Sequence, residues 1–419
     1  MIWVVGLVFF LLLALAVPVG HVILIASGAG IMTTEFLPLN IIVQQMFGQT
    51  QSFPMLALPF FILAGNLMMS GRLGANLIRF ASLLVQRYRG GPLSASVVGS
   101  AAFGGVSGSA VADATALGAM LVPWQKREGF PLDFAAANNA ASAMIAVLIP
   151  PSIPMILYGL VSGVSVGALF LAGVLPGLLI TAGFILVCNL SARVRGFPYN
   201  PKRADWSEIG QSTLQAAPAL AMPLMILLFL RFGLATPTEV SVLATLYALL
   251  VSSIVYRDMN LAKLQRAVIS AGVATGVVML VIMGSAVIGW LLTYAQVPQS
   301  FAAWAVATFR EPWLIILAMI AIMLVVGMFI DLPAAILLLG PIFVPLANQI
   351  GLDLVQLGLV MVLSLAIGLY TPPVGTTLFI SASIAREPIV RVVRQLWPFY
   401  LTALLILACF AYIPALTVR

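Results

Sequence analysis

The chain has 419 residues, of which 62% are hydrophobic and 7% are charged, and its formal net charge is +7. Soluble domains usually carry about a quarter charged residues, so this composition excludes an ordinary soluble protein and predicts an all-α membrane protein with many spans. The 19 basic residues lie almost wholly in short connecting segments, which favours topology-setting charges over a nucleic-acid-binding surface. We therefore expect membrane lipid, and no nucleic acid, around this protein.

The basic residues of the connecting segments form five groups. If all five face the cytoplasm, each segment between them crosses the membrane an even number of times. The groups lie at Arg72 to Arg89, at Lys126 and Arg127, at Arg193 to Arg203, at Arg257 to Arg266, and at Arg386 to Arg394. The first group lies in an amphipathic stretch, 71–91, which predicts a helix in the cytoplasmic interface.

Residues 92–122 join the first two basic groups and are too few for two full spans, which need about 40 residues. We predict a re-entrant hairpin instead, entered from the cytoplasmic side, with GGVSGSA at its tip. The next span, 132–165, contains IPPSIP at 149–154. Proline lacks a backbone donor and clashes with the preceding turn, so this pair predicts a broken helix.

The second half of the chain repeats this order from the opposite side. Residues 313–347 are interrupted by VGMFIDLP at 326–333 and predict a second hairpin, entered from outside, while a helix at 356–384 is broken by YTPPVGTT at 370–377. The two Pro–Pro pairs are about 222 residues apart, close to half the chain. Two such halves of opposite orientation are typical of inverted-repeat secondary transporters, whose site lies at the repeat interface.

The remaining apolar runs predict uninterrupted spans. They are 168–190, 214–233, 238–256, 267–292 and 398–418. Residues 295–312 are predicted to lie in the outer interface, with Trp304 and Arg310 as anchors. The sequence contains no visible cluster of metal ligands and no nucleophile–base arrangement, so it does not predict an enzyme.

The predicted tips and breaks place polar groups at membrane depth. Freed carbonyls and hydroxyls make an oxygen cage suited to a hard cation such as Na⁺, and the N-termini of half-helices attract an anion. For Ser107 and Ser109 the alternative is close helix packing by small residues. Asp113 and Asp331 are costly at membrane depth. Either they act on the transported species, or they brace the hairpins through backbone N–H groups.

Four motifs in this order resemble the large membrane subunit (DctM-like) of tripartite ATP-independent periplasmic (TRAP) transporters, and the resemblance runs through essentially the whole chain. The motifs are FGGVSGSAVADATALG (103–118), IPPSIPMILYG (149–159), TPTE (236–239) and GLYTPPVGTTLFI (368–380). The resemblance implies sodium-driven import of a small organic acid across the bacterial inner membrane. It also implies two partners, a small four-helix membrane subunit and a soluble periplasmic substrate-binding protein.

In that family an elevator mechanism moves a transport domain, which contains both hairpins, against a scaffold. The corresponding division of this chain is 1–91 (scaffold helices and interfacial arm), 92–190 (first half of the transport domain), 191–266 (linker and scaffold helices), 267–397 (second half) and 398–419 (C-terminal helix). A stand-alone Na⁺/dicarboxylate carrier with similar paired hairpins is the alternative within transport. A passive channel needs a continuous polar lining, whereas the polar residues here cluster at two central breaks.

The resemblance also implies where the ligands lie, with Na⁺ as the only metal and no organic cofactor. Sodium is expected between each hairpin tip and the facing broken helix, and substrate between the two tips. Carried over by motif, the first sodium site is expected at Ser107, Ser109, Ala146, Ile149 and Ser152, and the second at Gly327, Gly368, Thr371 and Val374. The substrate site is expected at Gly108, Ser109, Asp113, Pro151, Asp331, Pro373 and Thr376.

Overall fold

The chain folds into twenty α-helices and no β-strand over the residues that the structure describes. This structure is a computed structural model, and it describes residues 1–15, 17–34, 37–38, 40–69, 72–199 and 205–417. Lys202 and Arg203, which we assigned to the third basic group, lie outside these residues. The all-helical class predicted from composition is confirmed.

The helices are numbered in chain order. The first ten are α1 (Ile2–Ala14), α2 (Val19–Met32), α3 (Asn40–Thr50), α4 (Ala57–Met69), α5 (Arg72–Val85), α6 (Gly91–Ser107), α7 (Ala110–Arg127), α8 (Leu132–Ser142), α9 (Ile153–Ser162) and α10 (Val166–Val194). The others are α11 (Trp206–Arg231), α12 (Pro237–Leu250), α13 (Leu261–Tyr294), α14 (Val297–Phe309), α15 (Pro312–Phe329), α16 (Leu332–Gln349), α17 (Leu354–Gly368), α18 (Thr376–Ala385), α19 (Ile389–Gln395) and α20 (Trp397–Tyr412).

Six helices of the described chain are long and apolar enough to cross a membrane, namely α10 to α13, α15 and α16. Two bent pairs raise this count to eight if each pair is one span. These are α3 with α4, bent by 67°, and α19 with α20, bent by 52°. The predicted spans at 168–190, 214–233, 238–256 and 267–292 correspond to α10 to α13, and the last predicted span corresponds to α20.

The first predicted hairpin is the helix pair α6 and α7, joined by Gly108 and Ser109. Gly108 has a φ of +61°, a left-handed conformation that suits glycine and ends α6. Ser109 then caps α7, since its Oγ accepts a hydrogen bond from Ala112 N–H at 3.4 Å. Helix α7 continues past the predicted end at 122, because Lys126 and Arg127 complement the negative end of the helix dipole in its last turn.

The second predicted hairpin is the pair α15 and α16, which meet at Ile330 and Asp331. Asp331 has extended backbone and precedes α16, whose first turn contains Pro333. Each arm has 18 residues and is apolar enough to cross a membrane by itself. The arms extend slightly beyond the predicted 313–347, so their length allows two full spans as well as a re-entrant hairpin, and re-entrance stays a prediction.

Both predicted helix breaks occur at their Pro–Pro pairs. Helix α8 tightens into a 3-10 turn, Ala143–Val147, before the first pair, and α9 starts after it. The tightening begins ahead of Pro150 because two successive prolines cannot donate to the carbonyls of the preceding turn. In the second break α17 ends at Gly368 and α18 begins at Thr376. The Pro150–Pro151 and Pro372–Pro373 peptide bonds are both cis.

The two broken helices form the centre of the protein. Every residue of α8 from Phe134 to Ser142 and of α17 from Gln356 to Gly368 is buried. Helix α6 packs on α8 and its 3-10 turn, while α15 and α16 pack on α17. The contacts also cross over, since α7 packs on α18 and α16 packs on α9. Each hairpin therefore contacts both breaks or their flanking half-helices.

Helix α5 corresponds to the amphipathic helix predicted in the stretch 71–91. Its most buried side chains, Leu77, Ala81 and Val85, recur every fourth residue and so lie on one face. Helix α5 packs against α6 and α11. The apolar face thus contacts protein, whereas Leu84 remains 38% exposed.

Candidate ion and substrate site at the two helix breaks

The tip of the first hairpin touches the first helix break at glycine positions. A Cβ atom on Gly104 would lie 2.5 Å from Ala146 Cα, and one on Gly108 would lie 2.3 Å from Pro151 O. Neither contact leaves room for a side chain, because real Cβ atoms do not approach backbone below 3.0 Å. The glycines of GGVSGSA therefore bring the tip and the carbonyls of the Pro–Pro pair into direct contact.

Three predicted sodium ligands of the first break carry hydroxyl groups with local backbone bonds. Ser107 Oγ accepts from Ser109 N–H at 3.4 Å. Ser152 Oγ donates to Val147 O at 2.5 Å and accepts from Met155 N–H at 3.4 Å. Each oxygen has a second lone pair, so these bonds orient the hydroxyls without using up their capacity to coordinate a cation.

The second break receives a backbone group from the second hairpin. Val374 N–H and Gly375 N–H both donate to Met328 O, at 3.2 and 3.3 Å. A Cβ atom on Gly368 would lie 2.4 Å from the carbonyl carbon of Gly327. Thr371 Oγ donates to Ile367 O at 2.7 Å. The four predicted ligands of the second sodium site, Gly327, Gly368, Thr371 and Val374, are thus brought together around one tip.

The donor set fits sodium better than a transition metal. The groups at both breaks are carbonyls and hydroxyls, which are hard oxygen ligands. The described residues contain no group of three or more His, Cys, Asp and Glu side chains that could hold a metal. An oxygen cage without sulfur or imidazole suits an alkali cation.

Polar residues that the sequence interpretation missed join the two halves behind the breaks. Asn139 Nδ2 donates to Ala114 O at 3.0 Å and to Ser381 Oγ at 2.8 Å, linking α8 to α7 and α18. Thr377 Oγ lies 3.1 Å from Ala140 O and 2.9 Å from Leu369 O. The signal available in the sequence was the pair of asparagines at 138–139, which are unusual in an apolar helix just before a break.

The two carboxylates occupy different environments. Asp113 is fully buried inside the first hairpin, where its Oδ2 accepts from Ser100 Oγ at 2.6 Å and its Oδ1 has no hydrogen-bond partner among the described residues. This bond joins α7 to α6. Asp331 is exposed at the second tip, and its side chain does not cap α16. Of the two, Asp331 is placed to meet a ligand.

A cavity of about 410 Å³ lies between the two hairpins and the second break. It is lined by Val111, Asp331, Val374, Thr376, Phe379 and Ile380. Thr376 Oγ is buried and has no hydrogen-bond partner within the part of the chain that the structure describes. Among the predicted substrate residues, Asp331 and Thr376 line this cavity, whereas Gly108, Ser109, Asp113, Pro151 and Pro373 lie outside its lining.

Three helix N-termini meet at this cavity. Val111 belongs to the first turn of α7, Asp331 precedes α16, and Thr376 starts α18. The first turn of a helix has unsatisfied N–H groups and carries the positive end of the helix dipole. The lining contains no lysine or arginine, so helix ends are its source of positive potential.

Comparisons with known proteins assign the family. The family profile described as "Tripartite ATP-independent periplasmic transporter, DctM component" matches residues 7–416. The chain is 57% identical to "Uncharacterized protein y4mL" of Sinorhizobium fredii, over 98% of both chains. It is 35% identical to "C4-dicarboxylate TRAP transporter large permease protein DctM" of Pseudomonas aeruginosa, covering 89% of this chain and 87% of that one.

Two further comparisons concern a sugar-acid permease and a solved fold. The chain is 33% identical to "2,3-diketo-L-gulonate TRAP transporter large permease protein YiaN" of Escherichia coli, over 97% of this chain and 95% of that one. The crystal structure of the YdaH transporter of Alcanivorax borkumensis has the same fold, with a TM-score of 0.64 and 15% identity over 97% of each chain. The chain therefore belongs to the DctM family of TRAP transporters and is a multi-pass large permease subunit, not an enzyme.

Proposed function

We propose that this permease imports a small organic acid across the bacterial inner membrane, driven by sodium. The observation that carries the proposal is the cavity between two hairpin tips, each of which touches a Pro–Pro helix break. In support, two of the relatives named above are permeases for a C4-dicarboxylate and for 2,3-diketo-L-gulonate. Both compounds are carboxylates, so the proposed substrate is a carboxylate or sugar acid.

The cavity favours a substrate that binds helix ends. A carboxylate beside the first turns of α7 and α18 can accept hydrogen bonds from their free N–H groups, and the positive ends of the two helix dipoles stabilise its charge. Thr376 Oγ, buried without a partner, supplies one hydrogen bond. Asp331 opposes the approach of a second negative charge unless a cation lies nearby. A bound sodium ion removes this conflict, which gives the coupling a physical basis.

Sodium would be held by backbone and hydroxyl oxygens at the two tip–break contacts. The first site comprises Ser107, Ser109, Ala146, Ile149 and Ser152, and the second comprises Gly327, Gly368, Thr371 and Val374. When bound, the ion supplies a positive charge beside the substrate carboxylate. The amide of Val374 already donates to Met328 O, so its carbonyl is the group available to the ion.

We further infer that the hairpins are re-entrant halves of an inverted repeat that moves as an elevator. The first hairpin meets α4 and α11 at glycines, since a Cβ atom on Gly105 would lie 2.9 Å from Pro223 Cβ and one on Gly65 would lie 3.1 Å from Val106 O. Because no side chains interlock at these glycine contacts, the hairpin can slide past α4 and α11. The scaffold then comprises 1–91 and 191–266, and the transport domain comprises 92–190 and 267–397, followed by the C-terminal helix.

Two partners complete the proposed system, a small four-helix membrane subunit and a periplasmic substrate-binding protein. The word "tripartite" in the family description supports both. The binding protein delivers the acid to the outer side of the permease. A stand-alone Na⁺/dicarboxylate carrier requires neither partner.

Uptake by proteoliposomes tests the proposal. The permease is reconstituted with its small subunit, and uptake of radiolabelled 2,3-diketo-L-gulonate and succinate is measured with and without the binding protein and an inward sodium gradient. We expect uptake of at least one acid only when both are present. Uptake that needs neither contradicts the proposal, and uptake that needs sodium but no binding protein supports the stand-alone carrier instead.

A further inference from the structure

A second cavity, of about 290 Å³, lies away from the helix breaks. It is bounded by α3 and α13 on one side and by α9 and α16 on the other. Gln45 and Gln49 of α3 and Ser285 of α13 supply polar groups, while Leu160 of α9 and Leu337 of α16 supply apolar ones. None of its lining residues is charged.

The Ser285 hydroxyl marks this cavity as a place for a ligand. The residue is only 3% exposed, and its Oγ has no hydrogen-bond partner in the described ranges of the chain. A buried hydroxyl without a partner is costly, so native structures normally provide one. Thr275, on the same helix, also has a buried hydroxyl without a partner, but it does not line the cavity.

The wall beside Ser285 is aromatic. Trp290 lines the cavity and is stacked on Tyr294, with ring centroids 5.3 Å apart and planes at 16°. Such a pair forms a rigid flat surface that packs well against another flat apolar group. The volume lies near the lower limit of ligand pockets, roughly 300 Å³. Because no lining residue is charged, an ionised group of a ligand would have no ion-pair partner here, which favours an uncharged ligand.

We propose that this cavity binds a small uncharged molecule that carries hydroxyl groups and one flat apolar group. The hydroxyls bond to the amides of Gln45 and Gln49 and to Ser285 Oγ, and the flat group packs beside Trp290. Its effect on transport rests on the proposed elevator movement. A molecule held between α3 of the scaffold and α16 of the transport domain resists their separation and slows uptake.

Binding is tested with phenyl β-D-glucoside, an uncharged probe of this kind. Equilibrium dialysis of the radiolabelled probe uses the purified full-length permease in lipid nanodiscs, without sodium or organic acid. We expect saturable binding at one site per chain. Ser285→Ala should weaken it about fivefold through loss of one hydrogen bond, and Ala286→Leu, which fills the cavity, should weaken it more than tenfold. Thr275→Val is the matched control and should bind as the unchanged protein does.

Two results overturn the binding site. One is binding that does not saturate or that is equal in Ser285→Ala, Ala286→Leu and the unchanged protein. The other is equal binding of phenyl β-D-glucuronide, whose carboxylate has no partner in the lining. Since this measurement needs no sodium and no substrate, it remains decisive even if sodium-coupled transport is disproved.

The effect on transport is measured separately, in proteoliposomes. Saturating phenyl β-D-glucoside should lower the maximal rate of organic-acid uptake at least fivefold and leave the half-saturating substrate concentration unchanged. This inhibition should be lost in Ala286→Leu. Binding without inhibition overturns the claim that the molecule bridges the moving helices.

Discussion

Met328 O accepts a hydrogen bond from Val374 N–H at 3.2 Å, so the tip of the second hairpin completes the backbone bonding of the broken helix opposite it. The same carbonyl accepts from Gly375 N–H. At the first break the contact differs, because Gly108 meets the carbonyl of Pro151 instead of an N–H group. In both halves a hairpin tip therefore contacts a helix break, but the backbone groups that meet there are different.

Gly368→Ala should reduce sodium-dependent uptake at least tenfold. The added methyl would lie 2.4 Å from Gly327 C, and relief of such an overlap costs about 1–3 kcal/mol and moves the tip from the break. Gly276→Ala in α13 is the control, since nothing lies within 4 Å of its Cβ position. Uptake is compared at equal amounts of membrane-inserted protein. Equal loss in both variants contradicts the close contact.

Comparing Gly108→Ala with Gly163→Ala separates the contact between the first hairpin tip and Pro151 from the backbone strain of a positive φ. Gly108 and Gly163 both have positive φ, but only Gly108 has an atom within 4 Å of its Cβ position, namely Pro151 O at 2.3 Å. Alanine in the left-handed conformation costs about 1–2 kcal/mol at either position. We expect Gly108→Ala to lower the thermal unfolding temperature more than Gly163→Ala. If the two shifts are equal, the contact with Pro151 contributes nothing.

Asp113→Asn should keep most of the uptake activity. The amide oxygen can still accept from Ser100 Oγ, so the bond between α6 and α7 survives. Asp113→Ala leaves the buried Ser100 hydroxyl without its partner and should destabilise the protein by about 1–3 kcal/mol. Thermal unfolding and uptake are measured on both variants. Complete loss of uptake in a stable Asp113→Asn protein indicates a charge acting on the transported species, and not a brace.

Thr376→Val should raise the half-saturating substrate concentration about fivefold, the equivalent of one hydrogen bond. The Thr376 hydroxyl is buried and has no partner in the described chain, so its removal should leave stability nearly unchanged. Thr213→Val is the control, because Thr213 Oγ donates to Ile209 O within α11 at 2.7 Å. An unchanged substrate dependence places the acid outside this cavity.

The breaks and tips could be predicted because their causes are local. Proline at 150–151 and 372–373 removes donors from its own helix, and glycine at 108 allows a left-handed turn. The end of α7 was less predictable, because helix boundaries depend on small contributions to stability, such as the interaction of basic side chains in the last turn with the helix dipole.

The contacts between the halves were not predictable from local pattern. Asn139 and Ser381 are 242 residues apart, and no periodicity within either helix indicates that they meet. Amphipathicity in α5 showed that one face is apolar, but not that α6 and α11 cover it. For Asp113 the sequence left two roles open, and the partner that favours bracing, Ser100, lies on the other arm of the hairpin.

The central claim is that sodium binds at the two tip–break contacts, and sodium-dependent stabilisation of the purified permease measures it directly. Thermal unfolding is followed while Na⁺ replaces K⁺ at constant ionic strength. A ligand that binds only the folded state raises the unfolding temperature in a saturable way. We predict this rise for Na⁺ but not for K⁺, and a weaker response in Ser107→Ala and Thr371→Val. Equal curves for the two cations, or unchanged sodium responses in both variants, contradict the account.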